Sequence, residues 1–223
     1  MIVMNKKEYI TKTQLYITLI YVVCLLISNL ISSRQVLFFN KFELTGAVII
    51  FPITYILSDI MSEVFGYKWS RKTCYMAFAC NLVMSLMFMA VINMKAPEYF
   101  TNAEAYSTVL WNTWRVLISS LVAYVVWDFV NDKIFQKMKA KHPNDNKWFG
   151  RRAIVSSLAG ETVDSWIFIP FAFLGTMPNG TLLIMILTQV ILKVAYEMIV
   201  LPITIVVTRK TQEYENKLAV NKI

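Results

Sequence analysis

Six carboxylic acids, Asp59, Glu63, Asp128, Glu161, Asp164 and Glu197, stand inside long apolar stretches of this chain, together with two bases, Arg115 and Lys193. A charge at the centre of a membrane-crossing helix costs roughly 2.5–3.5 kcal/mol on insertion scales. Side chains kept at that cost face a protein interior or a water-filled cavity, where they meet one another or a solute. Two bases against six acids leave a formal −4 in these stretches. Such a surplus suits cations and donor-rich solutes, unless some acids are neutral or lie at the interface.

The spacings separate these groups. Asp59 and Glu63 are four apart and of like charge, unfavourable on one helix face unless something external compensates. Tyr55 continues their stripe. Glu161 and Asp164, three apart, form a second acidic stripe, with Trp166 beside it. Lys193 and Glu197, again four apart, can pair with each other on one helix. Arg115 reads as an internal counter-ion for a carboxylate. Asp128, close to the end of its apolar stretch, reads as a hydrated residue. Aromatic side chains near the acids, Tyr55 and Trp166 among them, could stack on a planar ligand.

The elements that must position these residues follow from composition. Of 223 residues 57% are hydrophobic and only 16% charged, against roughly 25% charged in soluble domains. A soluble fold of this size cannot bury that much apolar surface. The formal charge of +8 would suggest nucleic acid as a partner of a polar protein; this body is not polar, and none is expected. Six continuous apolar runs, about 14–33, 44–65, 73–94, 108–131, 153–174 and 181–208, each approach the ~20 residues a membrane helix needs. The expected fold is an all-α, polytopic six-helix bundle forming one membrane domain over residues 1–223. The first run lacks a small-residue cleavage site and does not read as a signal peptide.

Lys and Arg flank these runs unevenly. Residues before run 1, between runs 2 and 3, between runs 4 and 5, and after run 6 include 17 Lys or Arg, against Arg34, Lys41 and Lys95 in the alternate loops. The positive-inside bias places both termini in the cytoplasm. The basic segment Lys133–Arg152 reads as a cytoplasmic loop on anionic lipid. Pro52, Pro170 and Pro202 fall inside runs and can kink helices, freeing carbonyls. Two short echoes, Phe51-Pro52-Ile53-Thr54 with Leu201-Pro202-Ile203-Thr204 and one around Asp128 and Glu161, hint at duplication.

Several chemistries have no support. No phosphate-binding G-x-x-x-x-G-K-[ST] motif, G-x-S-x-G or H-E-x-x-H occurs. Cys24, Cys74 and Cys80 form no C-x-x-C pair, and His142 is the sole histidine. No metal, cofactor or disulfide is expected.

The run Phe51-Pro52-Ile53-Thr54-Tyr55-Ile56-Leu57-Ser58-Asp59-Ile60-Met61-Ser62-Glu63-Val64-Phe65-Gly66-Tyr67 resembles the signature of the queuosine precursor transporters, also grouped as vitamin uptake transporters. Ser28-Asn29 with Arg34, Arg115 with Ser120, Ala123 and Tyr124, Ser156 with Asp164, Phe168 and Ala172-Phe173, and Lys193 with Pro202 resemble later parts of the family pattern. Glu161 and Asn131 depart from it: the family pattern has an amide at the first and aspartate at the second. The resemblance covers about 20–208 and implies import of 7-deazaguanines, queuine or its nitrile or aminomethyl precursors, for queuosine in tRNA. The resemblance and the intramembrane charges together lead to an expected solute site of Phe51, Tyr55, Asp59, Glu63, Arg115, Glu161, Asp164, Trp166 and Lys193, in which Arg115 and Lys193 hold the carboxylates.

Carboxylates can accept the ring N–H and exocyclic amine of a guanine-like edge. The expected protein is thus a multi-pass inner-membrane importer and not an enzyme. Its expected partners are a purine-like solute and the bilayer, with a homo-oligomer or a separate energising ATPase as protein partners. Rival readings are an uptake component for another vitamin-like solute, working with that ATPase; an intramembrane enzyme using paired acids; and a structural subunit.

Overall fold

A computed structural model describes residues 10–38, 42–141 and 146–220. Helix α1 is Lys12–Ile31. Its N-terminus is closed by a reciprocal cap: Thr11 Oγ1 accepts from the Gln14 amide, and the Gln14 side chain accepts from the Thr11 amide. The Thr11 hydroxyl also donates to Glu215 at 2.9 Å, so the start of α1 and the end of the last helix share one end of the bundle.

The chain then forms an antiparallel hairpin, β1 Gln35–Phe38 and β2 Phe42–Thr45, with Gln35 opposite Thr45 and Phe38 opposite Phe42. This hairpin was not foreseen in an all-α reading. Its residues fall between the first and second apolar runs, with Leu44 and Thr45 inside the second.

The second expected span, 44–65, is not one membrane helix. It divides into the end of β2, a 3-10 turn Gly46–Ile49, helix α2 Phe51–Ile60 and a π-helical turn Met61–Phe65. Pro52 stands at the start of α2, not in a helix interior. There its missing N–H costs nothing and its fixed φ favours the first turn. Pro202, its partner in the sequence echo, lies inside a helix, so the echo does not mark equivalent positions. The continuous helical stretch 51–65 spans roughly 22 Å, short of the ~30 Å hydrocarbon layer.

Two glycines shape this region. Gly66 ends the π turn at φ 88°, a conformation costly for residues with a Cβ. At Gly46 a Cβ would lie 2.7 Å from the Ile31 carbonyl oxygen and 3.2 Å from that of Arg34. Both obstacles are backbone. Gly46→Ala is therefore expected to lower stability by about 1–3 kcal/mol, read as a lower thermal unfolding midpoint of the purified protein; an unchanged midpoint would show that the crossing relaxes freely.

Helices α3 Tyr67–Ile92, α4 Ala103–Lys141, α5 Asn146–Phe173 and α6 Asn179–Val220 complete the fold. The basic segment expected as a loop is largely helical, because α4 and α5 extend into it from both sides. At 1.5 Å per residue the 39 residues of α4 and 42 of α6 reach roughly 58 and 63 Å, far beyond a bilayer core. His142 and the side chains of Asp128 and Asn131 lie outside the described residues.

Among the described residues, four helices, Lys12–Ile31, Tyr67–Ile92, Ala103–Trp127 and Asn179–Leu218, are long and apolar enough to cross a membrane. The exteriors agree: Met87, Ile191 and Ile199 are each more than 60% exposed, untenable in such numbers against water. This is the architecture of a polytopic helical membrane protein. The elements outside that set are the short α2 and the acid-bearing α5, and they carry Asp59, Glu161 and Asp164.

Two apolar clusters hold the bundle. Val116, Ala123, Phe168, Ile169, Met185 and Ile186 join α4, α5 and α6. Tyr21, Met61, Cys74, Ala77, Phe78 and Leu117 join α1, the π turn, α3 and α4. On α3 the buried residues Thr73, Ala77, Asn81 and Ser85 recur every fourth position. Small side chains on one face let helices approach closely where lipid removes any hydrophobic drive.

Candidate functional site

Tyr55 on α2 faces α5 and α6 between the two clusters. Its hydroxyl donates to Glu161 Oε2 at 3.3 Å. Lys193 Nζ on α6 reaches Glu161 Oε2 at 3.0 Å and Asp164 Oδ2 at 2.5 Å. The side chains of Lys193 and Glu161 are only 7% and 8% exposed, that of Asp164 22%. The three residues on α5 and α6 form a buried ion triad of net charge −1.

Of the two partners open to Lys193 in the sequence, Glu197 on its own helix or the site carboxylates, the structure shows it on the carboxylates of α5. An i,i+4 pair gains little, whereas a buried ammonium gains most from two carboxylates that are themselves withdrawn from water. The ammonium also lies 5.5 Å from the Phe51 ring centre and 5.8 Å from that of Tyr55, a cation–π distance. Phe51 and Tyr55, one turn apart, stack with centroids 6.3 Å apart and planes at 18°.

The triad and Tyr55 form a partition between two cavities. The central cavity, with about 720 Å³ of empty space, is bounded by α1, α2, α3, α4 and α5. Its lining includes Tyr21, Asn29, Phe51, Tyr55, Phe78, Ser120, Tyr124, Trp127, Glu161, Asp164 and Phe168. The second, with about 600 Å³, lies between α2 and α6 and includes Tyr55, Asp59, Trp127, Glu161, Lys193 and Glu197, ending at Thr204. Tyr55, Ser58, Trp127 and Glu161 line both. A third, apolar groove beside the hairpin, lined by Phe38, Phe51, Pro52, Tyr55, Gln189 and Lys193, meets the same residues from the opposite end of α6. Helix α6 therefore carries cavity-lining residues from Gln189 to Thr204, about 22 Å of axial travel.

The expected site residues divide as follows. Phe51, Tyr55, Glu161, Asp164 and Lys193 come together at the triad, and Asp59 lines the α2–α6 cavity. Glu63 does not join them. The π turn begins at Met61 and breaks the helical spacing between Asp59 and Glu63. Glu63 is exposed, near the end of the bundle that carries α6's C-terminus, where its carbonyl accepts from Gln212. Trp166, two positions beyond Asp164, turns to the opposite face of α5 and is 49% exposed. Among the described residues Arg115 holds no carboxylate. Its Nε and Nη2 donate to the Phe171 and Leu174 carbonyls at 2.8 and 2.6 Å. The first belongs to the last turn of α5 and the second to the residue just after it, where unpaired acceptors and the helix dipole favour a cation.

Asn29 and Ser120, part of the family resemblance but not of the expected solute site, line the central cavity, and Trp127 lines both cavities. For Asn29 the available signal was an amide inside an apolar run. For Trp127 there was only an indole among many. Among the described residues no cluster of His, Cys, Asp and Glu suited to a metal occurs.

Residues 45–207 match the family model described as "Putative vitamin uptake transporter". A relative in Bacillus subtilis (strain 168), named "Probable queuosine precursor transporter", is 22% identical over 163 residues, 72% of this chain and 71% of its own length. No solved structure matches significantly. The matched stretch begins at the last residue of β2, runs through the split second segment and the ion triad, and closes near the end of the cavity-lining part of α6. With its acids and aromatics assembled inside that stretch, the chain belongs to the vitamin uptake transporter family.

Proposed function

We propose that the protein is a polytopic inner-membrane importer, both termini cytoplasmic, that carries 7-deazaguanine precursors of queuosine chemically unchanged into the cell. The observation that carries this reading is the partition: a buried acid pair faced by stacked aromatics, with cavities on either side of it. A guanine-like edge offers a ring N–H and an exocyclic amine, and a carboxylate accepts both in short, charge-assisted bonds. Flat rings find Phe51, Tyr55, Tyr124 and Phe168 around the same space. The name of the Bacillus relative supports the solute class. The 17-to-three bias of basic residues supports the orientation, and the Thr11–Glu215 bond is in keeping with both termini on one side.

The test is uptake in a cell unable to make queuosine. The full chain is expressed, each 7-deazaguanine is supplied at low concentration, and queuosine in tRNA is measured. Rescue by at least one is expected; failure of all, with the protein inserted, would sink the solute class. The family description also favours another vitamin-like solute as a second reading, which rescue by a vitamin in an auxotroph, without rescue by any 7-deazaguanine, would identify.

Asp59 and Glu63 give a contrast within the same assay. Asp59→Asn is expected to lower rescue several-fold, because Asp59 lines the α2–α6 cavity. Glu63→Gln is expected to leave it within twofold, since Glu63 lies outside both cavities. Equal losses in the two variants would place the solute path along the whole acidic stripe.

A further inference from the structure

The central cavity has a second polar end that the acids do not account for. Asn29, in the last turn of α1, is 3% exposed. Its Oδ1 accepts from the Ser120 hydroxyl of α4 at 3.0 Å. Its Nδ2, equally withdrawn from solvent, donates to no group. Buried donors are nearly always paired in folded proteins, and an exception asks for an explanation. Both Asn29 and Ser120 line the cavity that Glu161 and Asp164 also line, so a solute there can supply the missing acceptor.

The two ends are suitably spaced. Arg115 bonds the carbonyls of Phe171 and Leu174, and α4 runs antiparallel to α5. Five residues further along α4, Ser120 therefore stands near the level of residue 167. Asp164 and Glu161 lie three and six residues beyond that level, roughly 4–9 Å along the axis. Phe168 and Tyr124 line the same cavity.

We propose that Asn29, held by Ser120, is a specificity-determining residue whose Nδ2 donates to the ring oxo group of the solute while Glu161 and Asp164 accept from its N–H edge. The proposal rests on the 7-deazaguanine reading and names the recognition within it. On that heterocycle the oxo group stands beside the ring N–H on one edge. An edge lying along α5 meets the carboxylates with its donors and Asn29 with its acceptor. A single acid pair would bind any amine-bearing ring; the added donor selects those with a strong acceptor beside the N–H.

The experiment is competition against uptake of labelled 7-cyano-7-deazaguanine in cells expressing the full chain. The competitors are 7-deazaguanine and 7-deaza-6-thioguanine, which keep the same N–H edge and differ in the acceptor. For the unaltered protein the thio compound is expected to need at least fivefold more for half-inhibition. In Asn29→Ala, compared at equal membrane abundance, that ratio is expected to fall within twofold. Ser120→Ala, which frees the amide to turn, is expected to narrow it as well. Parity of the two competitors on the unaltered protein overturns the proposal, as does an unchanged ratio in whichever variant reaches the membrane. Absence of any labelled uptake by the inserted, unaltered protein overturns the solute class instead, and the two failures are therefore distinct.

Discussion

Lys193→Met is expected to be the most damaging single substitution at the site, lowering stability by about 3–5 kcal/mol, the cost of breaking a buried pair from one side. Glu161 and Asp164 both direct carboxylate oxygens at Nζ, and Glu161 is nine-tenths buried. Without the ammonium, two negative charges face each other three residues apart in an apolar wall. The methionine fills the volume of the side chain, so the loss reports charge, not a cavity. Thermal unfolding in detergent should show a midpoint lowered by several degrees. The triple change Lys193→Met, Glu161→Gln, Asp164→Asn should recover most of it, because removing all charges together leaves nothing uncompensated. That triple variant should remain inactive in uptake. A Lys193→Met protein with an unaltered midpoint would show that the triad is open to water and structurally incidental.

The second large effect falls on transport, with little change in stability. Glu161→Gln and Asp164→Asn, each made alone, keep shape and leave Lys193 with one carboxylate. Each removes a charge-assisted acceptor whose bond to a solute N–H is worth about 1.5–3 kcal/mol. Uptake at low solute concentration should fall at least tenfold in each, measured at equal abundance in the membrane. Preserved uptake in both would move the site to the α2–α6 cavity around Asp59. The contrast with Lys193→Met is informative: the lysine anchors three elements, whereas either acid has a neighbour able to share the ammonium.

Much of the membrane character was legible in the chain. Long apolar runs impose helices because a backbone in hydrocarbon must satisfy its own hydrogen bonds, and the four helices that qualify by length and composition overlap four of the expected spans. The acids at 59, 161 and 164 stood out because their cost in such runs demands compensation. The split of the second segment was less visible. Its residues are mostly apolar from end to end, and hydropathy does not register that Pro52 begins a helix or that Gly66, at positive φ, ends a π turn. The long extensions of α4 and α5 were hidden for the converse reason. Basic residues such as Lys133, Lys137 and Arg151 resemble a loop by charge, yet they are compatible with helix once neighbouring turns are formed.

The sequence by itself determined that acids stand inside its apolar stretches and that basic residues crowd alternate connecting segments, since both follow from residue type and order along the chain. Only the tertiary structure decided which charges meet. Lys193 meets two acids on α5, Arg115 serves carbonyls at the end of α5, and Glu63 and Trp166 turn away. The reason is that ion pairing and cavity lining depend on which helix faces oppose each other across about 10 Å of packing. A π turn or a change of two residues along a helix redirects a side chain by a large angle without altering hydropathy at all.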